Sequence, residues 1–204
     1  MKVLNIHAKA IVDIKLPENK IKNLPKKIGL VTTIQHLNKL SNVKEQFPES
    51  IVGGQVLGCD VNSAKKIVKD VKAFLFIGSG MFHPIEIALK TEKPVFCWNP
   101  FTKELTKVKK DDIDRYKKTK KAALIKFLSS DKIGILVSTK SGQYNMKKAL
   151  ELKNKADKDY FIFQFDTLNK NELENFPFIE CWVNTACPRI SDECINIINI
   201  SDII

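Results

Sequence analysis

Short apolar runs recur along the chain, separated by glycine, proline and polar turns, in the pattern of buried strands alternating with helices. Lys27–Thr32 (KIGLVT), Ala73–Ile77 (AFLFI), Pro94–Cys97, Lys132–Val137 (KIGILV), Tyr160–Phe165 and Ile179–Asn184 predict strands, with Gln55–Leu57 a shorter one. Between them, Gln35–Glu45, Ala64–Val71, a segment opened by Pro84 and running to Leu89, and Gln143–Lys155 have helical character. Asn62 or Ser63 is placed to cap Ala64–Val71, because a side-chain oxygen there can accept from the first-turn N–H groups. Asp112–Ser129 reads as a basic amphipathic helix with Ile113, Tyr116, Ala123, Ile125 and Leu128 facing inward. A further helix is expected near the C-terminus, carrying Cys194.

The pattern repeats itself. Lys27-Ile28-Gly29-Leu30-Val31-Thr32-Thr33 is echoed by Lys132-Ile133-Gly134-Ile135-Leu136-Val137-Ser138-Thr139, and each run is followed by a glutamine (Gln35, Gln143) and a helix. Alternating strands and helices with one internal echo predict an α/β protein of two related units, about 100 residues each, with small parallel sheets. The cysteines do not keep register with the echo: Cys59 follows Ile28 at a much shorter interval than Cys187 follows Ile133.

Composition narrows the picture. A chain of 204 residues, 44% hydrophobic and 28% charged, is globular rather than disordered. No apolar run approaches the roughly 20 residues that span a bilayer, and the N-terminal segment is too interrupted for a signal peptide, so no membrane association and a cytoplasmic location are expected. The net charge of +11 is mostly lysine, in a chain also rich in Ile and Asn, the bias that AT-rich codons produce. Lys103–Lys126 holds much of the excess but, with Tyr116 its one aromatic, lacks the aromatic interleaving of a single-strand binding platform, so direct nucleic-acid binding is not expected. Five scattered cysteines with no CxxC argue against a disulfide framework and against a self-contained zinc site.

Candidate chemistry gathers at strand ends, where α/β proteins build their sites. The segments are Thr32-Thr33-Ile34-Gln35, Gly58-Cys59-Asp60, Gly78 through Pro84, Ser138 through Gln143, and Thr185-Ala186-Cys187-Pro188-Arg189. Cys97 and Cys181 lie inside apolar strands and read as core residues, and Cys194 as structural. Gly78-Ser79-Gly80 lacks the full dinucleotide fingerprint, and Lys140 lacks a P-loop around it. His83 suits either a helix start or a catalytic role, and Arg189 beside Cys187 suits bidentate binding of a carboxylate.

Taken together, Gly54-Gln55-Val56-Leu57-Gly58-Cys59, Phe76 through Pro84, Val137 through Gln143, Trp182 through Arg189 and Val31 through His36 resemble the diphthamide synthase family, in order and spacing, over about residues 1 to 190. The resemblance implies a 4Fe–4S enzyme that cleaves S-adenosylmethionine reductively. A 3-amino-3-carboxypropyl group is then transferred to a histidine of translation elongation factor 2, the first step of diphthamide biosynthesis. It implies three similar Rossmann-like domains around a pseudo-threefold axis, each giving one cysteine ligand. On that pattern residues 1–15 are a remnant of the first domain, with Val3–Asp13 like its last strand; 16–111 form the middle domain and 112–204 the last. Cys59 and Cys187 become cluster ligands. Gln35, Gly80, Ser138, Thr139, Lys140, Gln143 and Arg189 contact S-adenosylmethionine, and Arg189 and His83 take catalytic roles.

The chain departs from the pattern in having no counterpart of the first domain's cysteine. A fragment, a misassigned start codon or one half of a split gene product is therefore expected, working with the missing first domain or a complementary subunit as a homo- or heterodimer. Two other readings carry less of the sequence: a non-catalytic partner subunit of such a complex, and a quinolinate-synthase-like cluster enzyme, which the Trp182–Arg189 segment fits less well.

Overall fold

The computed structural model describes residues 4, 6–192 and 194–203, which fall into two compact units, Met1–Ile113 and Asp114–Ile204. In the first, α1 (Glu18–Ile21) precedes β1 (Ile28–Thr32), and a 3-10 turn (Ile34–Lys39) runs into α2 (Leu40–Gln46). Then come β2 (Ile51–Gln55), α3 (Asn62–Lys66), β3 (Ala73–Ile77), α4 (Phe82–Thr91), β4 (Val95–Asn99) and β5 (Glu104–Lys107). The strand order is β2-β1-β3-β4-β5; the first four are parallel, and β5 runs antiparallel to β4.

The long α5 (Lys110–Leu128) spans the boundary between the units. The second unit continues with β6 (Lys132–Ser138), α6 (Met146–Lys153), β7 (Asp159–Phe165), β8 (Cys181–Asn184) and β9 (Ile197–Asn199), with 3-10 turns at Lys170–Asn175, Pro188–Ser191 and Ile200–Asp202. Its order is β7-β6-β8-β9, all parallel. Counting from the central strand, this is the order of the first four strands of unit 1. The protein is therefore a mixed α/β fold with parallel sheets, and the sequence echo falls on the two central strands, β1 and β6.

Central strands are buried on both faces, and so read as unbroken apolar runs. All five residues of β1 and of β3 are buried. Val31, Phe74 and Phe76 pack with Ala64 of α3 and Ile87 and Ala88 of α4; Leu30, Leu75, Ile77 and Trp98 pack on the other face with Leu40 and Val43 of α2. Ile14 and Leu16 complete that second face. The segment bearing them is held by side chains: Gln46 exchanges two hydrogen bonds with the Leu16 backbone (2.9 and 2.8 Å), and Lys39 Nζ donates to the carbonyls of Ala10 and Val12. The expected strand at Val3–Asp13 is not formed among its described residues, and residues 1–3 and 5 lie outside those described.

Several expectations are corrected. β2 is Ile51–Gln55, upstream of the expected Gln55–Leu57, because an edge strand with Gly53 and Gly54 carries no apolar run. α3 is preceded by Val61 with no side-chain cap; Asp60 Oδ1 accepts from Asn62 N (2.8 Å), while Ser63 Oγ donates to Gln55 O. On α5 the buried residues are Ala123 and Phe127, whereas Ile125 and Leu128 are 57% and 64% exposed, so the inward face is turned from the expected one. Cys194 lies on no helix: it is half-buried in the stretch leading to β9. β5 and β9, one polar and one only three residues long, gave no sequence signal. Among the described residues no helix is long and apolar enough to cross a membrane.

Candidate functional site

Parallel strands place their C-terminal ends on one edge of a sheet, and each unit has such an edge lined by the polar turns singled out in the sequence. In unit 1, Gln35 follows β1, Cys59 follows β2, and Gly80 and His83 follow β3. Cys59 is exposed in a tight turn in which Leu57 and Asp60 exchange backbone hydrogen bonds (2.8 and 3.2 Å). Val56 N donates to Thr32 O, which ties this turn to the end of β1.

The turn also abuts the loop after β3. A Cβ on Gly58 would lie 1.6 Å from Phe82 Cε1, so only glycine lets that ring cover the backbone beside Cys59. Phe82 meets His83 edge-on (centroids 5.5 Å apart), and His83 stacks on Phe76 at 5.5 Å and 10°. Gly80, at φ +77°, takes the left-handed bend between β3 and α4. Gln35 is exposed, and its Oε1 accepts from Thr33 Oγ1 at 2.8 Å.

In unit 2, β6 and β8 are paired with Leu136 opposite Asn184, so the turns after them are neighbours at one edge. Thr185 Oγ1 donates to Leu136 O (2.8 Å), and Asn145 Nδ2 donates to Thr185 O (2.7 Å). Ser138 is buried and its Oγ accepts from Lys140 N (3.2 Å); Thr139 and Lys140 are exposed, and Thr139 N donates to Phe165 O. Gln143 N donates to Lys140 O at 3.0 Å, closing the loop before α6. Cys187 is half-buried just ahead of the Pro188–Ser191 turn. Arg189 is exposed, and its Nε lies 3.7 Å from Asp192 Oδ2.

Unit 1 thus gathers Gln35, Cys59, Gly80 and His83 on one sheet edge, and unit 2 gathers Ser138, Thr139, Lys140, Gln143, Cys187 and Arg189 on one edge of its own sheet. The sequence pattern did not single out Asn145 or Asn199, which with Asn184 hold the turns of unit 2: Asn184 closes the apolar run of β8, while Asn145 lies just ahead of α6 and Asn199 ends a strand of three residues.

The five free cysteines divide by environment. Burial pushes the Cys97 thiol up to about 12, against a smaller lowering from Thr106. Burial likewise pushes the Cys181 thiol up to about 11. Thiols held protonated in a core are poor metal ligands, while accessible thiols on strand-end turns suit thiolate ligation. Cys59 and the half-buried Cys187 are of the second kind, while Cys194, also half-buried, packs against the cluster of Leu136, Ile179, Trp182 and Ile197. Among the described residues no group of three His, Cys, Asp or Glu is assembled that could hold a metal ion.

Residues 1–193 match the family model described as "Putative diphthamide synthesis protein". The chain is 36% identical over 194 residues to 2-(3-amino-3-carboxypropyl)histidine synthase of Pyrococcus horikoshii, covering 86% of this chain and 54% of that protein. Subunit 1 of the Schizosaccharomyces pombe synthase is 25% identical, over 94% of this chain and 49% of that one. The crystal structure of Dph2 from Pyrococcus horikoshii superposes with a TM-score of 0.77 at 31% identity, covering 91% of this chain and 58% of that chain. The same protein with a 4Fe-4S cluster gives 0.75 at 30% identity. The chain spans about half the length of the curated relatives it matches. With nearly its whole length matched by the family model and its fold superposing on a solved relative, this chain belongs to the diphthamide synthesis family.

Proposed function

We propose that this chain supplies two of the three domains of a 2-(3-amino-3-carboxypropyl)histidine synthase, residues 16–111 the middle one and 112–204 the last, with 1–15 leading in from the first. The reaction is transfer of the 3-amino-3-carboxypropyl group of S-adenosylmethionine to a histidine of translation elongation factor 2, the first step of diphthamide biosynthesis, in the cytoplasm. The three domains are Rossmann-like and related by a pseudo-threefold axis, a reading supported by the common strand order of the two units. The first domain, or a complementary subunit in a homo- or heterodimer, brings the third cysteine.

Cys59 and Cys187 hold a 4Fe–4S cluster, and their place on strand-end turns, outside the apolar packing that takes up Cys97, Cys181 and Cys194, is the observation that carries the proposal. The chemistry such a cluster supplies when bound is one-electron reduction of the sulfonium. The chain's own residues bind and orient. Arg189 takes the substrate carboxylate in the bidentate manner of a guanidinium. Ser138, Thr139, Lys140, Gln143 and Gln35 supply hydrogen bonds along the S-adenosylmethionine pocket, and Gly80 lets backbone approach it. His83, clamped between Phe76 and Phe82, stands at the mouth in contact with the protein substrate.

Anaerobic reconstitution with iron and sulfide, with the first domain supplied, tests this reading by EPR and by transfer from labelled S-adenosylmethionine to elongation factor 2. A 4Fe–4S signal with transfer is expected. No cluster signal under those conditions overturns the assignment, and binding of elongation factor 2 without transfer makes the chain a non-catalytic partner subunit instead.

A further inference from the structure

The family match ends at residue 193, yet the turn that carries Cys187 is completed by a residue beyond it. Asn184, the last residue of β8, lies opposite Asn199, the last of β9. Asn184 Nδ2 donates to Cys187 O (2.9 Å) and to Asn199 Oδ1 (2.7 Å), while Asn184 Oδ1 accepts from Ala186 N (3.0 Å). Asn199 Nδ2 in turn donates to Ser191 Oγ (2.6 Å) and to Pro188 O (3.3 Å). Ser191 Oγ donates its own hydrogen to Pro188 O at 2.9 Å.

Both amides are buried, Asn184 at 1% and Asn199 at 4% exposure. Both hydrogens and the oxygen of each are used, so the two orientations are mutually fixed. Rotating the Asn199 amide by half a turn would set its NH₂ against the NH₂ of Asn184 and turn its oxygen towards the Pro188 carbonyl. A satisfied buried network of this kind holds one geometry, and a half-satisfied one gives way.

We infer that Asn199 is a positioning residue for Cys187: acting through Asn184 and through the Pro188–Ser191 turn, it sets where the thiol stands at the edge of the sheet. The consequence for the cluster rests on the proposed role of Cys187 as a ligand; the positioning itself does not.

The test uses the full chain, metal-free and reduced, with native-state iodoacetamide labelling of Cys187 measured against Cys59 by peptide mass spectrometry. Cys59 belongs to the other unit and serves as the internal reference. Asn199→Leu, which keeps the branched shape and removes every bond, should change the Cys187:Cys59 rate ratio by about three- to tenfold, the factor that the net worth of one such hydrogen bond sets. Asn199→Asp keeps the acceptor for Asn184 but sets a buried carboxylate oxygen against the Pro188 carbonyl, and should change the ratio at least as much. Ile198→Val removes core volume on the same strand without touching the network, and should leave the ratio unchanged at a comparable loss of thermal stability.

An unchanged ratio in Asn199→Leu, or an equal change in Ile198→Val, overturns the inference. If Asn199→Leu does not fold, the Asn199→Asp and Ile198→Val pair decides in the same way. Iron retention after reconstitution with the first domain supplied separates the two claims. A changed ratio with less iron retained supports both. A changed ratio with Cys187→Ala retaining full iron leaves the positioning standing and removes the ligand role.

Discussion

At the scale of single residues, environment rather than identity separates the cysteines. Cys97 and Cys181 are held protonated by burial, at about 12 and about 11, whereas Cys59 is exposed and Cys187 half-buried on strand-end turns. Native-state alkylation at pH 8 should therefore modify Cys59 first, reach the half-buried Cys187 and Cys194 more slowly, and leave Cys97 and Cys181 untouched until the protein unfolds; labelling of Cys97 as fast as Cys59 would contradict this. His36 is the other residue whose environment has a measurable consequence. It is 2% exposed, its Nδ1 has no hydrogen-bond partner, and burial, reinforced by Lys39, holds its pKa below the ordinary value. A histidine buried neutral binds its proton more readily when unfolded. Stability is thus complete above about 6.5 and falls as the pH drops through the lower, folded-state value. His36→Gln should flatten that part of the pH–stability curve, as urea titrations between pH 5 and pH 7.5 would read, with the pH values chosen to bracket the transition at about 6.5.

At the scale of elements, the pattern of apolar positions located central strands well and helix faces less well. Both echoed glycines have a packing reason. A Cβ on Gly29 would lie 2.7 Å from Phe74, and one on Gly134 would lie 2.4 Å from Trp182, each aromatic residue being directly across on the neighbouring strand. Gly134→Ala should cost about 1–3 kcal/mol by overpacking, visible as a shifted denaturation midpoint with an unchanged slope. On α5, the sequence reading turns Ile125 and Leu128 inward, but apolar residues lie all round the last turns of the helix, with Phe127 about 200° from Ile125, so periodicity alone does not choose the stripe. The structure buries Phe127 at 4% exposure. Phe127→Ala should lose about 3–5 kcal/mol, while Ile125→Ser and Leu128→Ser should stay within about 0.5 kcal/mol of the parent. The reverse order would mean that α5 is rotated.

At the scale of the whole molecule, two units of like strand order carry their accessible thiols on unlike strands. Cys59 follows β2, whereas Cys187 follows β8, whose counterpart by position in the sheet is β3. That is why the cysteines fall out of register with the sequence echo although the strands keep it. Since each thiol sits on a turn outside its unit's core, Cys59→Ala and Cys187→Ala should each reduce iron retention after reconstitution with the first domain supplied, while moving the thermal midpoint little. Iron content and thermal melts of the two variants, made separately, check this.

What the sequence determined alone is what rests on local composition: the α/β class, the buried central strands, the repeated strand pattern and the place of the polar turns that follow the strands. A strand buried on both faces must be apolar throughout, and a tight turn after a strand favours small and polar residues, so both leave marks within a few residues. What the tertiary structure decided is what depends on partners distant in the chain. Edge strands such as β2 and β5 have no fixed composition, because solvent takes one side of them. The inward stripe of α5 is chosen by the sheet it covers. The hold on the Cys187 turn passes through Asn199, on a strand of three residues whose apolar signal is too short to read, and only folding brings that amide opposite Asn184.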